Sequence, residues 1–170
     1  MPTLSSKLAL PPLRAGLVER PRLWPRSLAP LTVIHAPAGY GKTTLAMQLL
    51  ARHAGPRAWL TLDRLDNDPR RFWSQVVGAV RAVLPEAAAE AGELLDAGES
   101  FRIADILTLF VNDVADAERA HGDAGLALVL DDLHCIASPA IVDDLNLFID
   151  CAPAALHVLV TSRVRPDLRI

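Results

Sequence analysis

The fold is decided by the stretch LTVIHAPAGYGKTTLAMQLLARHA at residues 31–54. Its first five residues, LTVIH, form a short apolar run rich in β-branched side chains, which is typical of a strand. The residues that follow include Pro37, Gly39 and Gly41, which favour a turn. From Thr43 onward, the apolar side chains of TTLAMQLLARHA recur at helical spacing. The stretch therefore predicts a strand, a loop and a helix in direct succession.

The loop of this stretch fits the phosphate-binding pattern GxxxxGK[ST], except that alanine stands at the first glycine position. Small residues there allow successive backbone N–H groups to surround a β-phosphate, and the helix N-terminus adds a partial positive charge. We expect Lys42 to reach the β- and γ-phosphates, Thr43 to ligate Mg²⁺ and Thr44 to lie near the α-phosphate. The residues predicted to bind nucleotide in this loop are Ala36, Pro37, Ala38, Gly39, Tyr40, Gly41, Lys42, Thr43 and Thr44.

A second apolar run, LALVL at residues 126–130, ends in two adjacent carboxylates. Because the run is apolar on both faces, it predicts a central strand of a parallel sheet that is covered by helices on both sides. Asp131 is predicted to hold Mg²⁺ through water beside the phosphate loop. Asp132 is predicted to orient or deprotonate an attacking water, and its alternative role is to cap the following turn.

A further predicted strand, LHVLVTS at residues 156–162, leads directly into Arg163. In a parallel sheet this strand ends at the same edge as the phosphate loop. A guanidinium at that edge can sense a γ-phosphate or transmit its presence. We therefore predict a catalytic or sensor role for Arg163, against the alternative of an exposed loop arginine.

The rest of the chain alternates strands and helices, which implies right-handed crossovers, a parallel sheet and a site at the carboxyl ends of the strands. The first thirty residues are rich in proline and arginine and predict an extended lead-in with short helical turns only. We accordingly divide the chain into a lead-in at 1–30 and a core at 31–170. The other predicted elements are a strand at 57–62 and helices at 69–84, 86–97, 101–120 and 139–149.

Composition excludes several classes of function. A length of 170 residues suits one domain with one buried core, and a net charge of -3 lacks the basic excess that direct nucleic-acid binding requires. The longest apolar run falls far short of the roughly 18 residues of a membrane-spanning helix, and the N-terminus has no signal-peptide pattern. Cys135 and Cys151 lack metal-ligand spacing and indicate reduced thiols. We therefore expect a cytoplasmic protein that contacts neither nucleic acid directly nor a membrane.

Five blocks of the sequence together resemble one protein family. They are KLALPPLRAGLVERPRL at 7–23, APAGYGKTTL at 36–45, WLTLDRLDNDPRRFW at 59–73, LVLDDLH at 128–134 and LVTSR at 159–163. The chain resembles the N-terminal ATPase module of large LuxR-type transcriptional activators similar to the maltose regulator. These belong to the signal-transduction ATPases with numerous domains. The family also uses alanine at the position of Ala36.

The resemblance implies an α/β fold: a three-layer P-loop NTPase sandwich with a mainly parallel sheet, here without its last strand, so that the phosphate-loop strand lies at a sheet edge. It implies a switch between an ADP-bound resting form and an ATP-bound form that self-associates, with Mg²⁺ as cofactor and slow or no autonomous hydrolysis. By similarity, Val18 and Arg20 would lie near the adenine. A C-terminal sensor region and a DNA-binding helix-turn-helix would follow in a longer regulator.

The same resemblance covers four polar residues without a clear chemical role. Asp63, Asn67 and Asp68 match a family block, and we expect them to cap and stabilise a turn. His134 also matches a family position, and a lone loop histidine is more often structural than catalytic.

Two other functions remain open at the level of sequence. A small P-loop kinase also uses a phosphate loop, but it needs basic residues and a mobile lid to bind its acceptor, whereas acidic and alanine-rich helices are predicted between the second and third strands. A non-hydrolysing interaction module would bind ADP for stability and never turn over.

Overall fold

The computed structural model describes residues 5–12, 16–25, 28–97, 102–121 and 125–169. Four strands form one sheet in the order β1-β4-β3-β2, and every neighbouring pair is parallel. The strands are β1 (Leu31–His35), β2 (Arg57–Thr61), β3 (Leu126–Asp131) and β4 (Leu156–Ser162). The α/β class, the parallel sheet and all four predicted strands are therefore confirmed.

Six α-helices lie within the described residues: α1 (Ser5–Leu8), α2 (Lys42–Ala51), α3 (Pro69–Arg81), α4 (Ala89–Asp96), α5 (Ile103–His121) and α6 (Pro139–Cys151). The predicted helix after the phosphate loop begins at Lys42, one residue earlier than its apolar spacing indicated. In the described residues of the lead-in, the helical segments are α1 and a short 3-10 helix at Pro21–Leu23, as its prolines predict.

The prediction of one continuous helix at 86–97 is wrong, because this segment contains two helices. The segment is a 3-10 helix at Pro85–Ala88 followed by α4, because Ala88 leaves the helical region with φ -152°. The buried carboxylate of Asp113, on α5, accepts a hydrogen bond of 3.1 Å from the backbone N–H of Ala91 at the start of α4. A side chain from another helix thus caps α4 where no local cap exists, and the alanine-rich sequence contains no sign of it.

Helices cover both faces of the sheet, which makes three layers. The helices α3, α4, α5 and α6 pack on one face, against alternate residues of β3 such as Leu128 and Leu130. On the other face, α2 packs against Ala127 and Val129 together with apolar residues of the lead-in. Since β3 is buried along its whole length, the prediction of a central strand from its uniform apolarity is confirmed.

The parallel arrangement brings all four strand ends to one edge of the sheet. His35 of β1 pairs in register with Ser162 of β4, and Thr61 of β2 pairs with Asp131 of β3. β1 lies at one side of the described sheet and pairs only with β4, as expected for the phosphate-loop strand. The polar residues after β1, β3 and β4 are therefore neighbours in space. No helix in the part of the chain described here is long and apolar enough to cross a membrane.

Candidate functional site

The loop between β1 and α2 has the backbone shape that phosphate binding requires. Gly39 and Gly41 have φ of +82° and +76°, values that side-chain-bearing residues adopt only with strain. Gly41 precedes the first residue of α2, and its carbonyl oxygen accepts the first helical hydrogen bond, 2.9 Å from the N–H of Leu45. The free N–H groups at the start of α2 therefore lie at the edge of the loop.

Lys42 lies within this loop and is only 8 % exposed. Its ammonium donates a hydrogen bond of 3.1 Å to the carbonyl oxygen of Pro37. Two of its three donors remain for other acceptors, and the one shown holds the side chain against the loop. A phosphate group within the loop would meet this ammonium without a large rearrangement of the chain.

Thr43 and Asp131 meet beside the loop although 88 positions separate them in the chain. The hydroxyl of Thr43 lies 3.1 and 3.2 Å from the two carboxylate oxygens of Asp131. The hydroxyl of Thr161, at the end of β4, donates a third hydrogen bond of 2.5 Å to the same carboxylate. The ends of three separate elements, α2, β3 and β4, thus converge on one carboxylate.

Burial raises the pKa of Asp131, which is 4 % exposed, and the neighbouring charge of Asp132 raises it further. The hydrogen bonds from Thr161 and Thr43 and the charge of Lys42 act in the opposite direction. A hydroxyl and a carboxylate are the hard oxygen ligands that Mg²⁺ prefers, so these residues fit that ion. No group of three or more acidic, histidine or cysteine side chains that could hold a metal ion occurs among the described residues.

Asp132 has a left-handed backbone, with φ 62° and ψ 41°, and is the one residue other than glycine with positive φ in the described ranges. Its backbone N–H donates to the hydroxyl of Thr161 at 3.0 Å. It precedes a 3-10 helix at Leu133–Cys135, but its side chain makes no capping hydrogen bond there. The side chain of Asp132 therefore does not cap the following turn, which was its alternative role. A left-handed backbone at a residue other than glycine is strained and is common at functional sites.

His134 lies against Asp132, with 3.5 Å between Nδ1 and a carboxylate oxygen. Burial lowers the pKa of His134, and the charges of Arg163 and Lys42 also lower it, while Asp132 opposes them. The lowered pKa favours the neutral imidazole at pH 7. Arg163 is exposed and directly follows the last residue of β4, so it lies at the same edge of the sheet as the phosphate loop.

The segment Gly16–Pro25 of the lead-in, called the strap below, lies along α2 and the phosphate loop. Arg20 donates a hydrogen bond of 2.9 Å to the backbone carbonyl of Tyr40, in the loop itself. The carbonyl of Val18 accepts a hydrogen bond of 3.1 Å from Gln48 on α2, and the Val18 side chain is 77 % exposed. Arg20 thus contacts the phosphate loop itself, whereas Val18 contacts α2 at Gln48. Gln48 was not singled out from the sequence, because a single glutamine on an apolar helix has no distinguishing pattern.

The turn after β2 performs the capping that its sequence predicts. Asp63 accepts from the N–H of Leu65 at 2.8 Å, and Asp68 accepts from the N–H of Arg71, the third residue of α3, at 2.8 Å. Asn67 accepts from the N–H groups of residues 137 and 138 and donates to the carbonyl of Cys135. It thereby holds the loop that follows Asp132 and His134. The predicted turn-and-cap role of these residues is confirmed.

An ion pair that the sequence did not predict connects this turn to α1. Lys7, on α1, lies 2.6 Å from a carboxylate oxygen of Asp66, which is completely buried. Asp66 also completes a capping box with Asp63. The spacing of two acids three residues apart is the only local signal, and it does not identify the lysine.

Curated proteins similar to this chain are described as HTH-type transcriptional regulator MalT. The protein from Vibrio cholerae serotype O1 is 32% identical over 169 residues, which is 97% of this chain and 18% of that protein. The protein from Yersinia pestis (strain Pestoides F) is 31% identical over 171 residues, covering 98% of this chain and 18% of that protein. The match lies in the N-terminal part of these regulators, so the chain spans less than a fifth of their length. No protein-family profile matches the chain.

Proposed function

The chain belongs to the MalT-like family of transcriptional regulators, of which it corresponds to the N-terminal part, and we propose that it is a nucleotide-binding switch module. In this proposal ATP or ADP binds with Mg²⁺ at the phosphate loop. Whether ADP or ATP is bound then determines whether a longer regulator is in its resting form or in its self-associating form.

The meeting of Thr43 and Asp131 at 3.1 Å beside a glycine-containing loop carries this proposal. A phosphate loop alone can be a simple turn, whereas a hydroxyl from α2 and a buried carboxylate from β3 together make a ligand set for Mg²⁺. In the proposed complex, residues 36–44 surround the phosphates and Lys42 neutralises part of their charge. Thr43 binds Mg²⁺ directly, and Asp131 holds it through water. The division into a lead-in at 1–30, which contributes Val18 and Arg20 to the base side, and a core at 31–170 is part of the same proposal.

Hydrolysis is the second part of the proposal. Asp132 would orient or deprotonate the attacking water, and the imidazole of His134 lies 3.5 Å from its carboxylate. Arg163 would sense the γ-phosphate from the end of β4. Because the proposed role is a switch, we expect turnover by the isolated chain to be slow or absent.

The partners proposed for this chain are inferred from the regulators that it resembles and not from the geometry of the site. We propose that the module acts in the cytoplasm within a regulator that also carries sensor and helix-turn-helix regions, and that ATP promotes its self-association. The module itself, with a net charge of -3, would not contact DNA.

Calorimetric titration of Mg²⁺-ADP and Mg²⁺-ATP into the purified chain tests nucleotide binding. We expect saturable binding to the wild type and a loss of more than about a hundredfold in affinity for Lys42→Ala, because its ammonium is the cation of the loop. Arg102→Ala, which removes an exposed cation at the start of α5, is the control and should bind as the wild type does. A folded wild-type chain that binds neither nucleotide would refute the proposal.

Turnover of radiolabelled ATP distinguishes a hydrolase from a module that only binds. A slow release of phosphate that disappears in Asp132→Asn, with nucleotide binding retained, would support the catalytic role of Asp132. Equal phosphate release by both proteins would remove Asp132 from the mechanism.

A further inference from the structure

The position of the strap depends on side-chain contacts. Its own backbone hydrogen bonds are local: the N–H of Leu23 donates to Arg20 and that of Trp24 donates to Pro21. Among the described residues, no backbone hydrogen bond connects the strap to the sheet or to α2. The position of such a segment is therefore fixed by the contacts of its side chains and backbone carbonyls.

Among the described residues, one cation–π contact and two hydrogen bonds hold the strap, and Trp24 also packs against the apolar cluster around α2. The cation of Arg52 lies 4.5 Å from the centre of the Trp24 ring, near the end of α2. Arg20 donates to the carbonyl of Tyr40 in the phosphate loop. Between these, the side-chain amide of Gln48 donates to the carbonyl of Val18 at 3.1 Å. Within the described ranges, the hydrogen bond from Gln48 is the one that reaches the backbone of Val18 itself.

Glutamine is energetically unfavourable at position 48. It is 9 % exposed, and its amide oxygen is buried without a hydrogen-bond partner. An unpaired buried acceptor is unfavourable, and methionine would fill a similar volume on α2 without that cost. Its favourable polar contact with the described part of the chain is the hydrogen bond to Val18. The stability of α2 therefore does not explain why position 48 is a glutamine, whereas the position of the strap does.

We propose that Gln48 is a positioning residue for the base end of the bound nucleotide. This inference rests on the proposed function. By fixing the carbonyl of Val18, Gln48 holds an exposed apolar side chain two residues before Arg20, which contacts the phosphate loop, and the flat apolar face of a purine can pack against it there. The phosphates bind the loop itself, so Gln48 acts on the affinity for the base and not on the affinity for the phosphates.

The test compares Mg²⁺-ADP with Mg²⁺-pyrophosphate, which carries two phosphates and no base, by calorimetric titration into wild type and Gln48→Met. We expect the variant to bind ADP about fivefold to tenfold more weakly, as the loss of one positioning hydrogen bond predicts, and pyrophosphate within about twofold of wild type. Gln48→Glu, which has the same size but no donor when ionised, should show the same selective loss. Gln75→Met is the matched control, because it removes a buried amide from α3 on the other face of the sheet and should leave the affinity for both ligands unchanged.

Limited trypsin digestion supplies a second readout that needs no ligand. The bond after Arg22 lies in the strap, and Arg22 is exposed. We expect faster cleavage there in Gln48→Met than in wild type, at an unchanged unfolding temperature. Equal cleavage rates, or an equal change in the affinity for ADP and for pyrophosphate, would overturn the role of Gln48. A wild type that binds neither ligand would refute the proposed function, and this inference with it.

Discussion

Replacement of Lys7 by methionine should destabilise the chain strongly, although Lys7 lies outside the predicted site. Its ammonium lies 2.6 Å from Asp66 and 2.8 Å from Asp63, and Asp66 is completely buried. The carboxylate of Asp66 also accepts hydrogen bonds from the amide of Gln75 at 2.5 Å and from the guanidinium of Arg71 at 3.2 Å. Lys7→Met therefore leaves a buried charge that has lost its shortest ionic partner.

The expected loss in the free energy of unfolding is about 2 to 3 kcal/mol at pH 7. Removing one partner of a buried ion pair costs about 3 to 5 kcal/mol when the other charge is left alone. Here Arg71 and the neutral donors remain, which places the loss below that range. For a chain of this size the loss corresponds to a fall of about 4 to 12 °C in the unfolding temperature.

Urea unfolding of wild type, Lys7→Met, Asp66→Asn and the double variant measures this coupling. We expect the double variant to lose at least about 1 kcal/mol less than the sum of the single variants, because it leaves no unpaired buried charge. A loss below about 0.5 kcal/mol in Lys7→Met, or strict additivity, would refute the assignment of this ion pair.

The pH dependence of the same variants gives an independent check. Burial would raise the pKa of Asp66, but the hydrogen bonds from Lys7, Asp63, Gln75 and Arg71 outweigh it and hold the pKa below its usual 3.8. The ionised carboxylate therefore stabilises the folded chain fully above the unfolded pKa, and this contribution is lost as the pH falls below 3.8. The stability difference between wild type and Lys7→Met should thus be constant near neutrality and narrow in acid. A difference that widened in acid would contradict the reasoning.

Three further changes have expected outcomes that are simple to measure. Asn67→Ala removes the hydrogen bonds that hold residues 135–138, and we expect a loss of about 2 kcal/mol in urea unfolding with faster amide exchange in that loop; unchanged exchange would show that the loop is held by other contacts. Thr161→Val keeps the shape of a fully buried side chain but removes the hydrogen-bond donor to Asp131. In the absence of Mg²⁺ we expect the free energy of unfolding to fall by about 1 to 2 kcal/mol, and this loss should grow as the pH rises and Asp131 ionises. A loss independent of pH would argue against that hydrogen bond. Gly41→Ala places a side chain at φ +76° and should lower stability by about 1 kcal/mol or more in thermal unfolding, whereas an unchanged unfolding temperature would show that the loop relaxes without cost.

The strands and the phosphate loop were predictable because their signals are local. The apolar runs at β1, β3 and β4 indicate strands wherever they occur, and glycines in the loop indicate positive φ without any knowledge of the neighbours. The approach of Asp131 to the loop was also predictable, since parallel strands bring their carboxyl ends to one edge. The break before α4 was not, because the side chain that caps α4 comes from α5.

The α/β class, the phosphate loop and the edge of the sheet at which polar residues collect follow from the order of the residues alone. They do so because periodicity, turn chemistry and chain connectivity act over short distances along the chain. Only the tertiary structure decided that Lys7 pairs with Asp66, that Asn67 holds the loop after Asp132, and that Gln48 holds the strap. Each of these is a contact of one polar side chain with a distant segment. Its energy depends on burial and on the geometry of the partner, and neither leaves a pattern in the order of the residues.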